Sequence, residues 1–188
     1  MSKEHPKYIL AFLSSYNGGV AIFRYNNTDY EYVTYIDMPR DQYKHVDVVT
    51  YKNMILDVIP NTNSATAFIV KPQYRNSDDS RCIYRIGVNS SINMVLAQLF
   101  EISIYYIKNP MLWQNYFNID QTNTKASALE KAKELLPDID INSTEQAESI
   151  LIGVYGIETV IKKKILNKSM EYYKSIPANA LIDFSVMK

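Results

Sequence analysis

The sequence predicts a single α/β domain with a mixed sheet, in which three antiparallel strands come first and helices and strands alternate afterwards. An apolar run at residues 7–14 is followed by the turn-forming NGG at 17–19 and a second apolar run at 20–26, which together are typical of a β-hairpin. The chain has 188 residues, of which 47% are hydrophobic, so it can bury one sizeable core. No long Gly, Pro or Ser linker divides it. We therefore expect a compact domain over residues 1–166 and a tail over 167–188.

Hydrophobic periodicity extends this pattern through the first half of the chain. Residues 30–38 alternate between apolar and polar side chains, which predicts a third strand. Residues 41–59 carry apolar side chains at helical spacing and are followed by Pro60, so a first helix is predicted there. The short apolar run at 65–72 ends in Pro72 and favours a strand that is buried on both faces.

The second half of the chain is predicted to be mainly helical. After a polar loop, residues 90–108 predict a second helix that is apolar on most sides and is therefore expected to be central. A further short strand at the end of this helix is an open alternative. Residues 124–135 predict an amphipathic helix, and a last helix begins at Ser143. Three antiparallel strands followed by this alternation are the layout of an RNase H-like α/β fold, flanked by helices.

The charge and cysteine content exclude several classes of protein. Lys and Arg total 20, as do Asp and Glu, so no net field attracts the chain to nucleic acid or to an anionic membrane. The single cysteine, Cys82, excludes an intrachain disulfide, and the two histidines, His5 and His45, give no zinc-binding spacing. No signal-peptide pattern and no apolar run of about 18 residues is present, which predicts no membrane partner. We expect an intracellular protein or a component of a particle.

Two glutamates stand three residues apart at the start of the last helix, in the segment STEQAESILIGVYG. Ser143 and Gln146 form the pattern of a capping box, and Glu145 and Glu148 suit the positive end of the helix dipole. The same spacing places both carboxylates on one helix face, where they could also belong to a divalent-metal site. Such a site needs further oxygen ligands from elsewhere in the chain.

Four segments, in order, resemble the RuvC-type Holliday-junction resolvases, particularly the phage-like branch of that family. The segment ILAFLSSYNGGVAIF at 9–23 resembles the family's first strand and IDPG turn, and AFIVKPQ at 67–73 resembles its IEKPQ strand. Residues 109–137 are similar to its P-x-x-W stretch, with matches at Pro110, Trp113, Lys125, Ala132 and Pro137. The segment AESILIGVYG at 147–156 resembles its AEALLIAxYG helix. The resemblance covers residues 8–157 and implies an RNase H-like nuclease fold.

The resemblance also implies a site of four carboxylates that hold two Mg²⁺ ions for phosphodiester hydrolysis. Leu13 stands at the position of the family's first-strand aspartate, and Val70 at that of the glutamate on its later strand. Glu145 and Glu148 match the acids of the last helix. Aliphatic side chains cannot ligate Mg²⁺, so we expect a pseudo-nuclease with no catalytic residues, no metal site and no resident cofactor. Mg²⁺ would be required only if displaced acids kept the chain an active junction endonuclease, which is a third alternative.

The favoured function is a structural subunit of a larger assembly, such as a tail or connector ring of a bacteriophage particle. Its partners would be other protein subunits and further copies of itself, and its location the virion, or the host cytoplasm during assembly. The tail at 167–188 carries many apolar side chains and is expected to dock on a partner or a neighbouring subunit. Tyr, Asn, Ile and Lys share A/T-rich codons, and their abundance fits a phage genome.

The alternative function is binding of DNA junctions without cleavage. Phosphate contacts would come from basic side chains around the former site and from a lysine run after the last helix. These are Lys71, Arg75, Arg81 and Arg85, followed by Lys162, Lys163 and Lys164.

Overall fold

The structure is a computed structural model, and it describes residues 7–26, 29–62, 65–72, 74 and 78–161. Its elements, in chain order, are β1 Lys7–Leu13, β2 Gly19–Tyr25, β3 Tyr30–Asp37, α1 Val48–Val58, β4 Ala65–Val70, α2 Ser80–Leu99, β5 Ser103–Ile107, α3 Met111–Tyr116, α4 Thr124–Leu135 and α5 Thr144–Gly156. A turn of π-helix, Ile157–Ile161, continues α5. This is the mixed α/β, RNase H-like architecture that the sequence predicts. The predicted boundary at residue 166 and the tail at 167–188 lie outside the described residues.

The five strands form one mixed sheet in the order β3-β2-β1-β4-β5. The first three strands are antiparallel neighbours, whereas β4 is parallel to β1 and β5 is parallel to β4. Leu13 pairs with Gly19 across the β1–β2 hairpin, and residues 14–18 form its turn. Gly18 adopts a φ of 74°, a conformation that favours glycine. Because the parallel strands β1 and β4 end at the same edge of the sheet, their last residues lie side by side.

Side chains of the central strand β1 alternate between two cores, one on each face of the sheet. Ile9, Ala11 and Leu13 belong to the core that is covered by α3, α4 and α5. Leu10 and Phe12 belong to the core on the opposite face, under α1 and α2. The alternation follows from the twofold period of a strand, and it gives a three-layered domain with the sheet in the middle.

Helix α5 is the central helix of the domain. Its residues Ala147 and 149–154 are buried against the sheet. A Cβ atom at Gly153 would collide with the ring of Phe23 on β2, and one at Gly156 would collide with the ring of Phe68 on β4. The two glycines therefore allow the helix backbone to approach the sheet closely.

The predicted helix at 90–108 is wrong in its boundaries and in its expected central position. Helix α2 begins ten residues earlier, at Ser80, because Asp79 caps it by accepting a hydrogen bond of 2.7 Å from the backbone N–H of Cys82. Its end is marked by Glu101, which has a φ of 54°. Residues 103–107 then form β5, so the short strand left open above is present. Only one face of α2 is buried.

The predicted helix at 41–59 starts too early. Helix α1 begins at Val48, because the side chain of Asp47 accepts hydrogen bonds from the backbone N–H of Thr50 at 3.0 Å and from its hydroxyl at 2.7 Å. Residues 41–45 instead form a turn, in which the Asp41 carboxylate accepts from the backbone of His45 at 2.9 Å. Acids that looked like part of the helix are therefore turn and capping residues. Helix α3 was not predicted.

The predictions for α4 and for the start of α5 are confirmed. The Ser143 hydroxyl accepts from the backbone N–H of Gln146 at 3.1 Å. The Gln146 side-chain oxygen accepts in return from the backbone N–H of Asn142 at 3.0 Å. The capping box is thus formed, with the return bond made one residue before the cap.

Candidate functional site

A cleft of about 660 Å³ opens where β1 and β4 end and α5 begins. Leu13 and Val70 contribute its floor, and Glu145 and Glu148 approach from the first turns of α5. Residues 121–125, at the start of α4, form part of the wall. The four positions that the family resemblance assigns to a metal site therefore lie around one cleft.

The two strand-end positions are part of the hydrophobic core. Leu13 is 6% exposed and Val70 is 4% exposed, and both belong to the core between the sheet and α5. Phe12 pairs with Ile69 in the parallel ladder, so Leu13 and Val70 come directly after this pair. Each buried aliphatic side chain contributes about 1.5–3 kcal/mol to folding, and neither can donate an oxygen to a cation.

Glu145 is held by hydrogen bonds within the domain. Its carboxylate accepts from the Asn17 side chain at 3.0 Å and from the Thr144 hydroxyl at 3.0 Å. Burial alone would raise the pKa of Glu145, but hydrogen bonds from its own backbone N–H, Thr144 and Asn17, together with the charge of Lys125, outweigh it and lower the pKa below its ordinary value. Glu145 therefore ties the β1–β2 turn to the start of α5 as an ionised carboxylate.

Glu148 lies one turn further along α5, is partly buried and lines the same cleft. Asp78, which precedes α2, is a third acid in the lining. Within the part of the chain that the structure describes, no group of three or more His, Cys, Asp or Glu side chains is arranged to hold a metal ion. Since Mg²⁺ requires near-octahedral oxygen coordination, the donor set of the described cleft does not fit a two-Mg²⁺ site.

The turn at residues 14–18 is braced by amide side chains from α2, a feature that sequence reasoning missed. The Asn89 side-chain amide donates to the carbonyls of Ser15 at 2.8 Å and Tyr16 at 3.1 Å. The Asn93 amide donates to the Leu13 carbonyl at 3.3 Å. Both asparagines are completely buried. The available signal was a pair of asparagines four residues apart, which lie on one face of a helix, because buried amides are kept when they bond to backbone.

Two further side chains, one from β3 and one from the segment after it, hold the same turn. The Arg40 guanidinium donates to the Asn17 carbonyl at 2.9 Å and to the Tyr16 carbonyl at 3.2 Å. The Tyr35 hydroxyl donates to the Gly18 carbonyl at 3.2 Å. Burial, with the Asp37 charge nearby, raises the pKa of Tyr35 far above its ordinary value, so this hydroxyl remains a donor. The turn at residues 14–18 is therefore fixed by hydrogen bonds from side chains of α2, β3 and Arg40.

The predicted basic residues are only partly brought together. Lys71 is exposed and lines the cleft, as does Lys125, a residue of the segment at 109–137 that resembles the family's P-x-x-W stretch. The guanidinium carbon of Arg85 lies 3.9 Å from the centroid of the ring of Tyr16, a residue that lines the cleft. Arg81 lies one turn before Arg85 on α2 and is exposed. The remaining predicted contacts, Arg75, Lys162, Lys163 and Lys164, lie outside the described residues.

Comparison with known proteins identifies the fold. No protein-family model matches the chain, and no curated protein sequence matches it. A structure of Thermus thermophilus RuvC in complex with a Holliday-junction substrate superposes with a TM-score of 0.60 at 9% identity, covering 82% of this chain and 96% of that one. Another structure of Thermus thermophilus RuvC gives a TM-score of 0.58 at 11% identity, covering 79% and 92%. The chain therefore has a RuvC-like RNase H fold. None of its described helices is long and apolar enough to cross a membrane.

Proposed function

We propose that the chain is a non-catalytic protein of RuvC-like fold that serves as a structural subunit of a larger assembly. The observation that carries this proposal is the apolar floor of the cleft, where Leu13 and Val70 are buried at the ends of adjacent parallel strands. A two-metal phosphodiesterase needs carboxylates to bridge its cations and to activate water. Leucine and valine supply neither function, and their burial in the core stabilises the fold instead.

The hydrogen bonding of Glu145 supports the same proposal. Glu145 accepts from Asn17 and Thr144, so two of its lone-pair directions are used within the domain. The turn after β1 is fixed by Asn89 and Arg40 through backbone carbonyls. Carbonyl oxygens that are hydrogen-bonded in this way serve the turn rather than a cation. The former site acts as a structural joint between β1 and α5.

We place this subunit in a bacteriophage particle, as a tail or connector ring component built from several copies. The virion setting derives from the sequence: from the resemblance to the phage-like branch and from residues with A/T-rich codons. The chain would be found in the virion, and in the host cytoplasm during assembly.

Two measurements test the subunit role. Native mass spectrometry of the purified chain should give a discrete homo-oligomer, and quantitative mass spectrometry of purified particles should find the chain at a fixed copy number. A chain that stays monomeric at high concentration and is absent from particles would contradict the proposal. As a control, a non-structural protein encoded beside it should be absent from the same particles.

A second candidate function is binding of branched DNA without cleavage, and it is favoured by one observation. Lys71 and Lys125 are both exposed at the cleft that opens between β1, β4 and α5. Phosphate contacts by lysines make affinity fall steeply with salt. Binding of a fluorescent four-way junction across a salt series, compared with a linear duplex of the same length, tests this function. Selective binding that Lys71→Glu abolishes would support it, and equal binding of both DNAs would count against it.

A further inference from the structure

The outer face of α2 is largely apolar from Tyr84 to Leu99. Its residues Tyr84, Val88, Ser91, Val95 and Leu99, which we call the α2 ridge, are spaced so that they lie on one side of the helix. Tyr84 is 73% exposed, Val95 48% and Leu99 63%. No charged residue occurs between Arg85 and the end of the helix. A helix face that meets only water is normally polar or charged, so the α2 ridge has the composition of a contact surface.

Two arginines meet at the N-terminal end of the α2 ridge. The Arg85 guanidinium lies over the ring of Tyr16, and its buried Nε has no hydrogen-bond partner among the described residues. The Arg40 guanidinium donates to the carbonyls of Tyr16, Asn17 and Lys44, at 3.2, 2.9 and 3.2 Å. Because carbonyl oxygens are uncharged, these hydrogen bonds do not neutralise the positive charge of the Arg40 guanidinium. In the described ranges, the ion pairs within 4 Å join other side chains, so neither guanidinium is neutralised by a carboxylate there.

The two guanidinium groups are close enough to repel each other. Burial and then the charge of Arg85 lower the pKa of Arg40 below its ordinary value. Arg81, which is exposed, adds a third positive charge one turn earlier on α2. Arginines held together, with no carboxylate within 4 Å among the described residues, suit a bound oxyanion, because the planar guanidinium matches a carboxylate with paired hydrogen bonds.

We propose that the α2 ridge and the three arginines Arg40, Arg81 and Arg85 form one docking surface for an amphipathic acidic helix of a partner protein. The partner's carboxylates would meet the arginines, and its apolar side chains would pack along the ridge. From Arg85 to Leu99 the helix rises about 21 Å, which suits a partner helix of about four turns. Arginine and tyrosine are enriched at protein interfaces. A nucleic acid would need positive charge along its path, and α2 has none after Arg85. This inference rests on the proposed role as an assembly subunit.

Selection from a displayed library of random helical peptides, about four turns long, tests the surface on the intact protein. The enriched peptides should carry Asp or Glu at one end and apolar residues at helical spacing. By fluorescence anisotropy, the best peptide should bind Arg81→Glu and Leu99→Ser at least about tenfold more weakly than the unaltered protein. Lys52→Glu, a charge reversal on the exposed side of the neighbouring helix α1, is the matched control and should bind normally.

A charge swap makes the test independent of simple loss of folding. Lysine in place of the peptide's acidic residues should restore binding to Arg81→Glu and abolish binding to the unaltered protein. The proposal is overturned if no peptide is enriched, or if the enriched peptides bind Arg81→Glu as well as the unaltered protein. It is also overturned if light scattering shows a dimer that Leu99→Ser separates, or if junction DNA binding depends on Arg81 but not on Leu99.

Failure of this surface and failure of the proposed function give different results. If the protein does not cleave DNA and selects no acidic peptide, only the proposed docking surface is refuted. A protein that cleaves branched DNA with Mg²⁺ refutes the non-catalytic role, whatever its peptide binding.

Discussion

Substitution of Leu13 by asparagine tests whether the strand-end position now belongs to the core. Leu13 is only 6% exposed, so its replacement forfeits about 1.5–3 kcal/mol of apolar burial. A buried amide without a partner adds about 1–3 kcal/mol. Leu13→Asn should therefore lower the free energy of unfolding by about 2.5–6 kcal/mol. In a domain of this size each kcal/mol lowers the Tm by roughly 2–4 °C.

Aspartate and asparagine have nearly the same shape, so the difference in unfolding free energy between Leu13→Asp and Leu13→Asn isolates the effect of the charge. Burial disfavours the ionised carboxyl and raises its pKa above the unfolded value of about 3.9. A group with a raised folded-state pKa matches its neutral counterpart at low pH and loses stability as the pH rises through that pKa. The aspartate variant should thus be the less stable of the two at about pH 8 and within about 0.5 kcal/mol of the asparagine variant at about pH 4.

Urea unfolding followed by the fluorescence of the buried Trp113 measures both differences, with and without Mg²⁺. The double variant Leu13→Asp with Val70→Glu is compared with Leu13→Asn with Val70→Gln. If Mg²⁺ makes the acidic pair more stable than the amide pair, the cleft can still assemble a metal site. If Leu13→Asp is more stable than Leu13→Asn at about pH 8 without Mg²⁺, the apolar environment inferred for this position is wrong.

Three other predictions concern α5, α2 and the turn between β1 and β2. Gly153→Ala should destabilise by about 1–3 kcal/mol in thermal unfolding, because its methyl group would overlap the Phe23 ring. A methyl group at Gly87 would make only an ordinary van der Waals contact, so Gly87→Ala should stabilise the protein by up to about 1 kcal/mol. If Gly87→Ala destabilised more than Gly153→Ala, the close packing of α5 against the sheet would be contradicted. Glu145→Gln should lower the free energy of unfolding by about 0.5–1 kcal/mol at neutral pH. Because the folded-state pKa of Glu145 is lowered, the difference in unfolding free energy between the unaltered protein and Glu145→Gln should vanish as the pH falls through that pKa. A difference that does not change with pH would refute the hydrogen-bonded carboxylate. Asn89→Ala should cost about 1–3 kcal/mol and speed hydrogen exchange in the turn, and unchanged exchange would show that the amide does not brace it.

The elements that could be predicted from the sequence are those with local signals. The β1–β2 hairpin has its glycine turn, α4 has a clear apolar period, and α5 has a capping box that the structure contains. The end of α2 and the start of β5 could not be separated, because both are apolar and the break between them depends on one residue, Glu101, in a left-handed conformation. Pairing with β4, a contact distant in sequence, makes residues 103–107 a strand.

The candidate site was found through resemblance rather than periodicity. Leu13, Val70, Glu145 and Glu148 were assigned from family strings, and the structure places all four around one cleft. The bracing of the turn at residues 14–18 could not be predicted, because it joins residues more than 70 positions apart. Periodicity also cannot show that α5, rather than α2, is the central helix, since the close approach of α5 to the sheet depends on the two glycines and the rings they meet.

Cleavage of a labelled four-way DNA junction, with products resolved on a denaturing gel, tests the central claim most directly. The assay compares the unaltered protein with Glu148→Ala in the presence of Mg²⁺ or Mn²⁺. We predict that neither protein yields a product above the level without enzyme. Product formed by the unaltered protein and lost in Glu148→Ala would show that the cleft is an active metal site, and would contradict the non-catalytic role.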